Sequence, residues 1–365
     1  MLSQTRAGLA QTGPADAETP HPAERAAMTK AADEFMRRYG APGLAVAIAR
    51  RGRLVYSEAF GWSDAASGER LTPHHRFRIA SVSKPITSVA VFSLIERGSL
   101  RLSDPVFGGQ GVLGNAYGRL PEASRLHEIT IDHLLTHTAG GWTNDRYDPM
   151  FQQPRLDHAE LIAWTLKTQP LKSPPGATYA YSNFGYCLLG RVIERVTGQP
   201  YETYVQETVL RRAGIRDMAI AGNTLAERQP REVHYLAVGN ADPYAINVRR
   251  MDSHGGWVAT AIDLVRFAVH VDGFTSPSIL KPETIRTMTF ASPANAGYAK
   301  GWAVNRVGNW WHYGSLSGTT SLLVRTSSRF CWAALVNTGQ GQSAINGDLD
   351  RLVWTMVREV PSWGA

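Results

Sequence analysis

Ser81-Val82-Ser83-Lys84 places a hydroxyl and an amine three residues apart, a spacing that puts both on one face of a helix. A serine hydroxyl becomes a nucleophile when a neighbouring base takes its proton, and an amine is such a base where its surroundings depress its pKa. The flanks suit a helix start. Ile79 and Ala80 make an apolar approach, and Pro85 falls in the first turn, where a missing N–H costs nothing. The apolar positions Ile86, Val89, Ala90, Phe92, Leu94 and Ile95 follow, and Gly98 stops the run. Two other groups carry compatible chemistry. Tyr181-Ser182-Asn183, after Pro174-Pro175-Gly176, offers a phenol and an amide on a turn that feeds a helix. His312-Tyr313-Gly314-Ser315, with Gly318 close behind, lies at an expected strand end, where a backbone N–H can face a reacting carbonyl. Together they describe an acyl-transfer site built on an activated serine.

Positioning these groups takes both helices and strands. Residues 23–39 read as a helix ending at Gly40, and Leu44–Ala49 with Leu54–Phe60 read as a hairpin turning at Arg51-Gly52-Arg53. Helices are expected at about 157–168, 183–197, 201–212 and 261–272, the last opening on a capping-box-like Thr260–Asp263. Strands are expected at Trp302–Val307, Trp310–Tyr313, Ser321–Arg325 and Cys331–Asn337, followed by a helix over 344–359. Strands at both ends with helices between predict an α+β body, in which the two chain ends share an antiparallel sheet and a mostly helical lobe is inserted. The expected boundaries are a leader at 1–22 and one catalytic domain at 23–365. Its α/β lobe takes in about 23–80 and 275–365, its helical lobe about 81–274, and the cleft lies at their seam.

Composition narrows the function. With 365 residues, 43% of them hydrophobic, the chain can bury a large core. A formal charge of +7 arises from scattered Arg rather than from basic stripes interleaved with aromatics, so a solvated surface is expected and nucleic acid is not. Cys187 and Cys331 are far apart with apolar neighbours, as suits small buried residues. Residues 1–22 contain no apolar signal-peptide core, and no membrane span is visible. Cytoplasmic residence is the default expectation, periplasmic or secreted if the N-terminus was trimmed. His133 and His137 have zinc-like spacing but no adjoining Glu, and are read as packing; Gly108 to Gly118 is read as a surface excursion. Trp142, Tyr147, Phe151, Tyr235, Tyr244 and Trp257 are candidates for an aromatic acyl pocket.

The three motifs, in this order, resemble those of the penicillin-recognising serine hydrolases, in particular class C β-lactamases, D-alanyl-D-alanine carboxypeptidases and family VIII carboxylesterases. The resemblance extends over about residues 30–358. It takes in Ile131-Asp132-His133-Leu134-Leu135-Thr136-His137-Thr138-Ala139-Gly140-Gly141 and Gly255-Gly256-Trp257-Val258-Ala259-Thr260. It implies a β-lactamase-like (transpeptidase-like) fold without cofactor or metal. It also implies Ser81 as the acylated nucleophile, Lys84 as an aid to its deprotonation, Tyr181 as proton shuttle and Asn183 as the group orienting substrate and Lys84. The oxyanion hole would be the N–H groups of Ser81 and Ser315, with His312 and Gly314 lining the substrate. Whether Lys84 or Tyr181 is the base is left open. The chain departs from the group where Lys-Thr-Gly or Lys-Ser-Gly is usual. His312 and Tyr313 stand there, which weakens a fixed site for a substrate carboxylate and favours small to medium neutral esters. β-Lactams, D-alanyl peptides and amides are the alternative substrates, and acyl transfer through the same intermediate is a further one.

Overall fold

Leu44, Val46 and Ile48 alternate with Ala45, Ala47 and Ala49 along the first strand, β1 (Gly43–Arg50), and the two sets enter different cores. This alternation decides what packs on each face of the main sheet. The computed structural model describes residues 20–237, 239, 241–274, 277–339, 344–361 and 363. In it, β1 is joined by β2 (Arg53–Asp64) and β3 (Glu69–Arg70). Three short strands, β4 (Phe77–Arg78), β5 (Ala219–Ile220) and β6 (Trp257–Ala259), form a separate sheet in the order β4-β6-β5. β7 (Ala303–Val304), β8 (Trp310–Leu316), β9 (Thr319–Arg325) and β10 (Phe330–Val336) complete the main one.

The main sheet has seven strands in the order β3-β2-β1-β10-β9-β8-β7, every pair antiparallel. The first and last thirds of the chain meet where β1 pairs with β10, from Leu44↔Val336 to Arg50↔Phe330. The shared sheet read from the sequence is present. Its hairpin closes through Arg51 (φ 50°) and Gly52 (φ 81°), the two left-handed residues that a tight turn between twisted strands requires.

Helix α1 (Pro22–Tyr39) buries Met28, Ala32, Phe35 and Tyr39 against one face of this sheet, and stops at Gly40 (φ 59°). The helical insertion holds α2 (Ser83–Glu96), α3 (Ile131–Leu135), α4 (His158–Thr168), α5 (Asn183–Thr197), α6 (Tyr201–Val205), α7 (Asp252–Gly255), α8 (Ala261–Val269) and α9 (Pro282–Thr289). α10 (Ile345–Arg358) lies beside α1. α8 packs on the other face of β1, where alanines leave room for a close approach, and the expected capping box is formed: Asp263 N–H donates to Thr260 Oγ1 at 3.0 Å.

Several expected boundaries move. The strand anticipated over Trp302–Val307 is cut to Ala303–Val304, because Asn305 turns the chain by accepting Gly308 N–H through its carbonyl and Asn309 N–H through its side chain. The helix expected over 201–212 is α-helical to Val205, passes through a π-turn at Gln206–Leu210 and ends in a 3₁₀ turn at Arg211–Ala213. α9 and the small sheet were not anticipated. The stretch at Gly108–Gly118 is irregular as expected, yet it is anchored by buried Phe107 and Leu113 rather than lying loose on the surface.

Candidate active site

Ser81 sits where β4 hands over to α2, in a 3₁₀ turn, Ala80–Val82, that follows directly on Ile79. Ala80 takes φ 47°, a backbone strain of about 1–3 kcal/mol for a residue with a Cβ. Neighbouring strands keep that turn in place. Thr319 Oγ1 donates to Arg78 O at 2.8 Å and Ser321 Oγ to Ile79 O at 2.6 Å, so the start of β9 is fastened to the residues before the serine. Gly314 on β8 is pressed against the same turn. A Cβ there would lie 2.2 Å from both Ile79 O and Ser321 Oγ, so only glycine fits. Ser315, one residue on, is exposed, while Ser81 is half-buried.

Lys84 is fully buried on the first turn of α2. Its Nζ lies 3.0 Å from Ser81 Oγ, 2.7 Å from Asn183 Oδ1 and 2.9 Å from His254 O. Burial pushes this amine well below its usual pKa, with the Asp148 carboxylate opposing. A neutral amine has two hydrogens and one lone pair; here the hydrogens have two carbonyl acceptors, and the lone pair is left to the Ser81 hydroxyl. Tyr181 also interacts with the Ser81 side chain, and burial raises its pKa, so it is a phenol at neutral pH. Its ring centroid is 4.8 Å from Lys84 Nζ.

The turn bearing Tyr181 is held by its backbone. Asn144 N–H donates to Tyr181 O at 2.7 Å, Ala180 N–H to His137 O at 2.8 Å, and Ser182 Oγ caps α5 by accepting Gly185 N–H at 3.0 Å. Asn183, the first residue of α5, turns its amide oxygen to Lys84. Its Nδ2 donates to Asp148 Oδ2 at 2.7 Å and to Asn144 Oδ1 at 3.2 Å. Asp148 is fully buried, and desolvation pushes its carboxyl up to about 6.

His312 is buried under Tyr181, their rings 6.1 Å apart, and both its nitrogens are used inside the protein. The neighbours settle the protons. His137 Nδ1 accepts Ser182 N–H at 3.1 Å, so its Nε2–H donates to Tyr298 Oη at 3.1 Å. Tyr298 O–H then donates to His312 Nε2 at 3.1 Å, and His312 Nδ1–H to Tyr313 O at 2.6 Å. Burial, with Lys84 nearby, pushes His312 down to about 3, so it is neutral. The His137 ring packs against that of Tyr181, centroids 4.2 Å apart and planes tilted by 38°. Tyr313 packs instead into the core between the sheet and α1 and α10, because successive residues of β8 face opposite ways.

Of the residues singled out in the sequence, Ser81, Lys84, Tyr181 and Asn183 meet through the bonds above, and Gly314 and Ser315 adjoin the turn of Ser81. The aromatic candidates scatter. Trp142 and Tyr147, with Thr143, Asp145 and Trp164, line a cavity of about 480 Å³ that Asn144 and Asp148 do not line, since they serve Asn183. Trp257 is core, donating to Tyr201 Oη at 3.0 Å; Tyr235 is buried beneath Arg78; Phe151 is exposed. His133 closes the N-terminus of α3 with Thr130, apart from His137, and among the described residues no cluster of three or more His, Cys, Asp or Glu could hold a metal ion. Sequence reading missed Asp148, Asn144, Tyr298 and the His254 carbonyl. A carboxylate within the aromatic stretch 142–151 was the available signal for Asp148; a backbone carbonyl leaves none.

Comparison with known proteins gives consistent relatives. A family model described as Beta-lactamase matches residues 28–353. Esterase EstB of Burkholderia gladioli is 34% identical over 195 residues, covering 51% of this chain and 48% of that protein. The matched region thus spans about half the length of the first curated relatives. Among solved structures, SurE superposes with a TM-score of 0.71 at 26% identity, covering 94% of this chain and 76% of the other. D-amino acid amidase from Ochrobactrum anthropi SV3 shares the fold, with a TM-score of 0.75 at 21% identity over 93% and 98% of the two chains.

Proposed function

The chain belongs to the β-lactamase family, and from that premise we propose that it is a serine hydrolase cleaving small to medium neutral carboxylic esters through an acyl-Ser81 intermediate. The observation that carries this reading is the buried Lys84 amine 3.0 Å from Ser81 Oγ, with acceptors for both its hydrogens. Burial favours the uncharged form of both flanking groups, which supports Lys84 as the base and Tyr181 as the acid.

Ser81 Oγ attacks the ester carbonyl carbon while its proton passes to Lys84 Nζ. The carbonyl electron pair moves to oxygen, where the main-chain N–H groups of Ser81 and Ser315 stabilise it, each by about 3–4 kcal/mol. Collapse breaks the bond to the alcohol, which takes a proton from Tyr181, and the phenol is replenished from the Lys84 ammonium. Water then loses a proton to Lys84 and attacks the acyl carbon; the bond to Ser81 Oγ breaks, the carboxylic acid leaves, and the Lys84 ammonium returns its proton to Oγ.

Neutral substrates are favoured because His312, in the position where the family's cation usually stands, is uncharged and has both ring nitrogens bonded. The similarity to EstB points the same way. The test is a burst of nitrophenol from a short-chain p-nitrophenyl ester with an acyl adduct on Ser81 by intact mass, and turnover faster than that of nitrocefin or a D-amino-acid amide. Ser81→Ala is expected to abolish burst and adduct, and Lys84→Ala to be nearly as damaging, since the two act as a unit. Full turnover by Ser81→Ala overturns the nucleophile; faster nitrocefin or amide cleavage overturns the ester preference.

A further inference from the structure

We propose that Asp148 is a positioning residue that fixes which way the Asn183 amide faces, and through it keeps the Lys84 lone pair free for Ser81. This rests on the reading of Lys84 as the base. Asp148 Oδ1 accepts Met150 N–H at 2.9 Å, and Oδ2 accepts Asn183 Nδ2–H at 2.7 Å. Asn144 Oδ1 takes the second hydrogen of that NH2 at 3.2 Å. With both amide hydrogens assigned to acceptors, Asn183 Oδ1 has to face Lys84 Nζ. A flipped amide would instead point a donor at the amine and compete with Ser81 for its lone pair.

The charges around the pair leave Asp148 as the electrostatic partner of Lys84. His137, His254 and His312 face Lys84 and are held neutral by burial; Tyr181 and Tyr186 are held as phenols. Asp145 faces Asp148 from its own loop, and Asp252, His158 and Arg250 approach His254. The Asp148 carboxylate raises the Lys84 pKa against desolvation. Removing its charge therefore lowers that pKa, and the acid limb of the rate profile, where Lys84 becomes protonated, moves to lower pH.

Asp148→Asn and Asp148→Ala separate orientation from packing. In Asp148→Asn the Met150 N–H cannot turn, so it claims the new amide oxygen. The new NH2 then faces Asn183, whose own amide must flip. Asp148→Ala loses an acceptor, but Asn183 still donates to Asn144 and keeps its orientation. The near-isosteric change is thus expected to be the more harmful one, the reverse of what a structural role gives. The measurement is the rate of Ser81 labelling by a fluorophosphonate from pH 4 to 10, with thermal melts alongside. Expected are a loss of about 100-fold in Asp148→Asn, a smaller loss in Asp148→Ala, and in both an acid limb displaced to lower pH, most where the wild-type Asp148 is still ionised. Asp148→Asn labelling no slower than Asp148→Ala, or an unmoved acid limb, overturns the proposal. Should neither variant fold, Asp148→Asn with Asn183→Asp restores the bonds with the charge against Lys84, and its acid limb is expected to rise; an unmoved limb again overturns it. A wild-type protein that is not labelled overturns the serine-hydrolase reading itself, and this proposal with it.

Discussion

Tyr181 illustrates how far a single residue's role depends on what surrounds it. A surface tyrosine with this bond to Ser81 would exchange protons with water; here burial keeps the phenol protonated, and His137 holds its ring in place. Tyr181→Phe retains the ring contact with His137 and loses only the hydroxyl. Its kcat is expected to fall by about 10²- to 10⁴-fold on an alkyl ester. On a p-nitrophenyl ester the loss is smaller, because nitrophenolate departs without protonation; equal losses on both would contradict the acid role. At this scale Ser81, Lys84, Tyr181 and Asn183 were legible because side-chain chemistry and short spacing belong to the chain itself. Asp148 was not, because its importance comes from losing its water, and burial is settled by elements distant in sequence.

Among the elements, β8 and β9 act as the wall against which the Ser81 turn is pressed. Their residues Gly314, Thr319 and Ser321 touch Ile79 and Arg78 across more than two hundred positions of sequence. Gly314→Ala has to displace either the turn or the strand. It is expected to cost about 1–3 kcal/mol in stability by overpacking and on the order of 100-fold in kcat/KM by moving Ser81. Urea unfolding and ester kinetics measure the two, and unchanged kinetics would show that the turn is not set by this contact. Helices with strong periodicity and glycine stops were found almost to the residue, as at α1 and α5. The shortened β7 was not, since the Asn305 turn that cuts it uses a side chain an apolar pattern ignores. The two-residue pairs of the small sheet carry no period to detect.

Across the whole molecule, the helical insertion is tied back to the strand before Ser81 by Arg78. This guanidinium donates to Pro243 O at 2.6 Å and Gly222 O at 3.0 Å, lies over the rings of Tyr235 and Tyr244, and pairs with Glu232, both charges buried. Glu232→Ala leaves Arg78 without its counter-charge in a dry site and is expected to cost about 3–5 kcal/mol. Arg231→Ala, which breaks an exposed pair with Asp217, is expected to cost less than about 1 kcal/mol. Paired denaturant titrations check this, and equal shifts would contradict the anchoring role. By itself the sequence determined most of the longer helices and strands, the meeting of the chain ends in one sheet, and the residue types that the proposed acyl-enzyme chemistry needs. These follow from periodicity, turn chemistry and side-chain type, all of which act over a few residues. Tertiary structure alone decided that Lys84 is buried and its pKa lowered, that Asp148 stands behind Asn183, and that His312 is neutral and bonded on both sides. Desolvation and hydrogen-bond partnership exist only once distant segments close around the same few atoms.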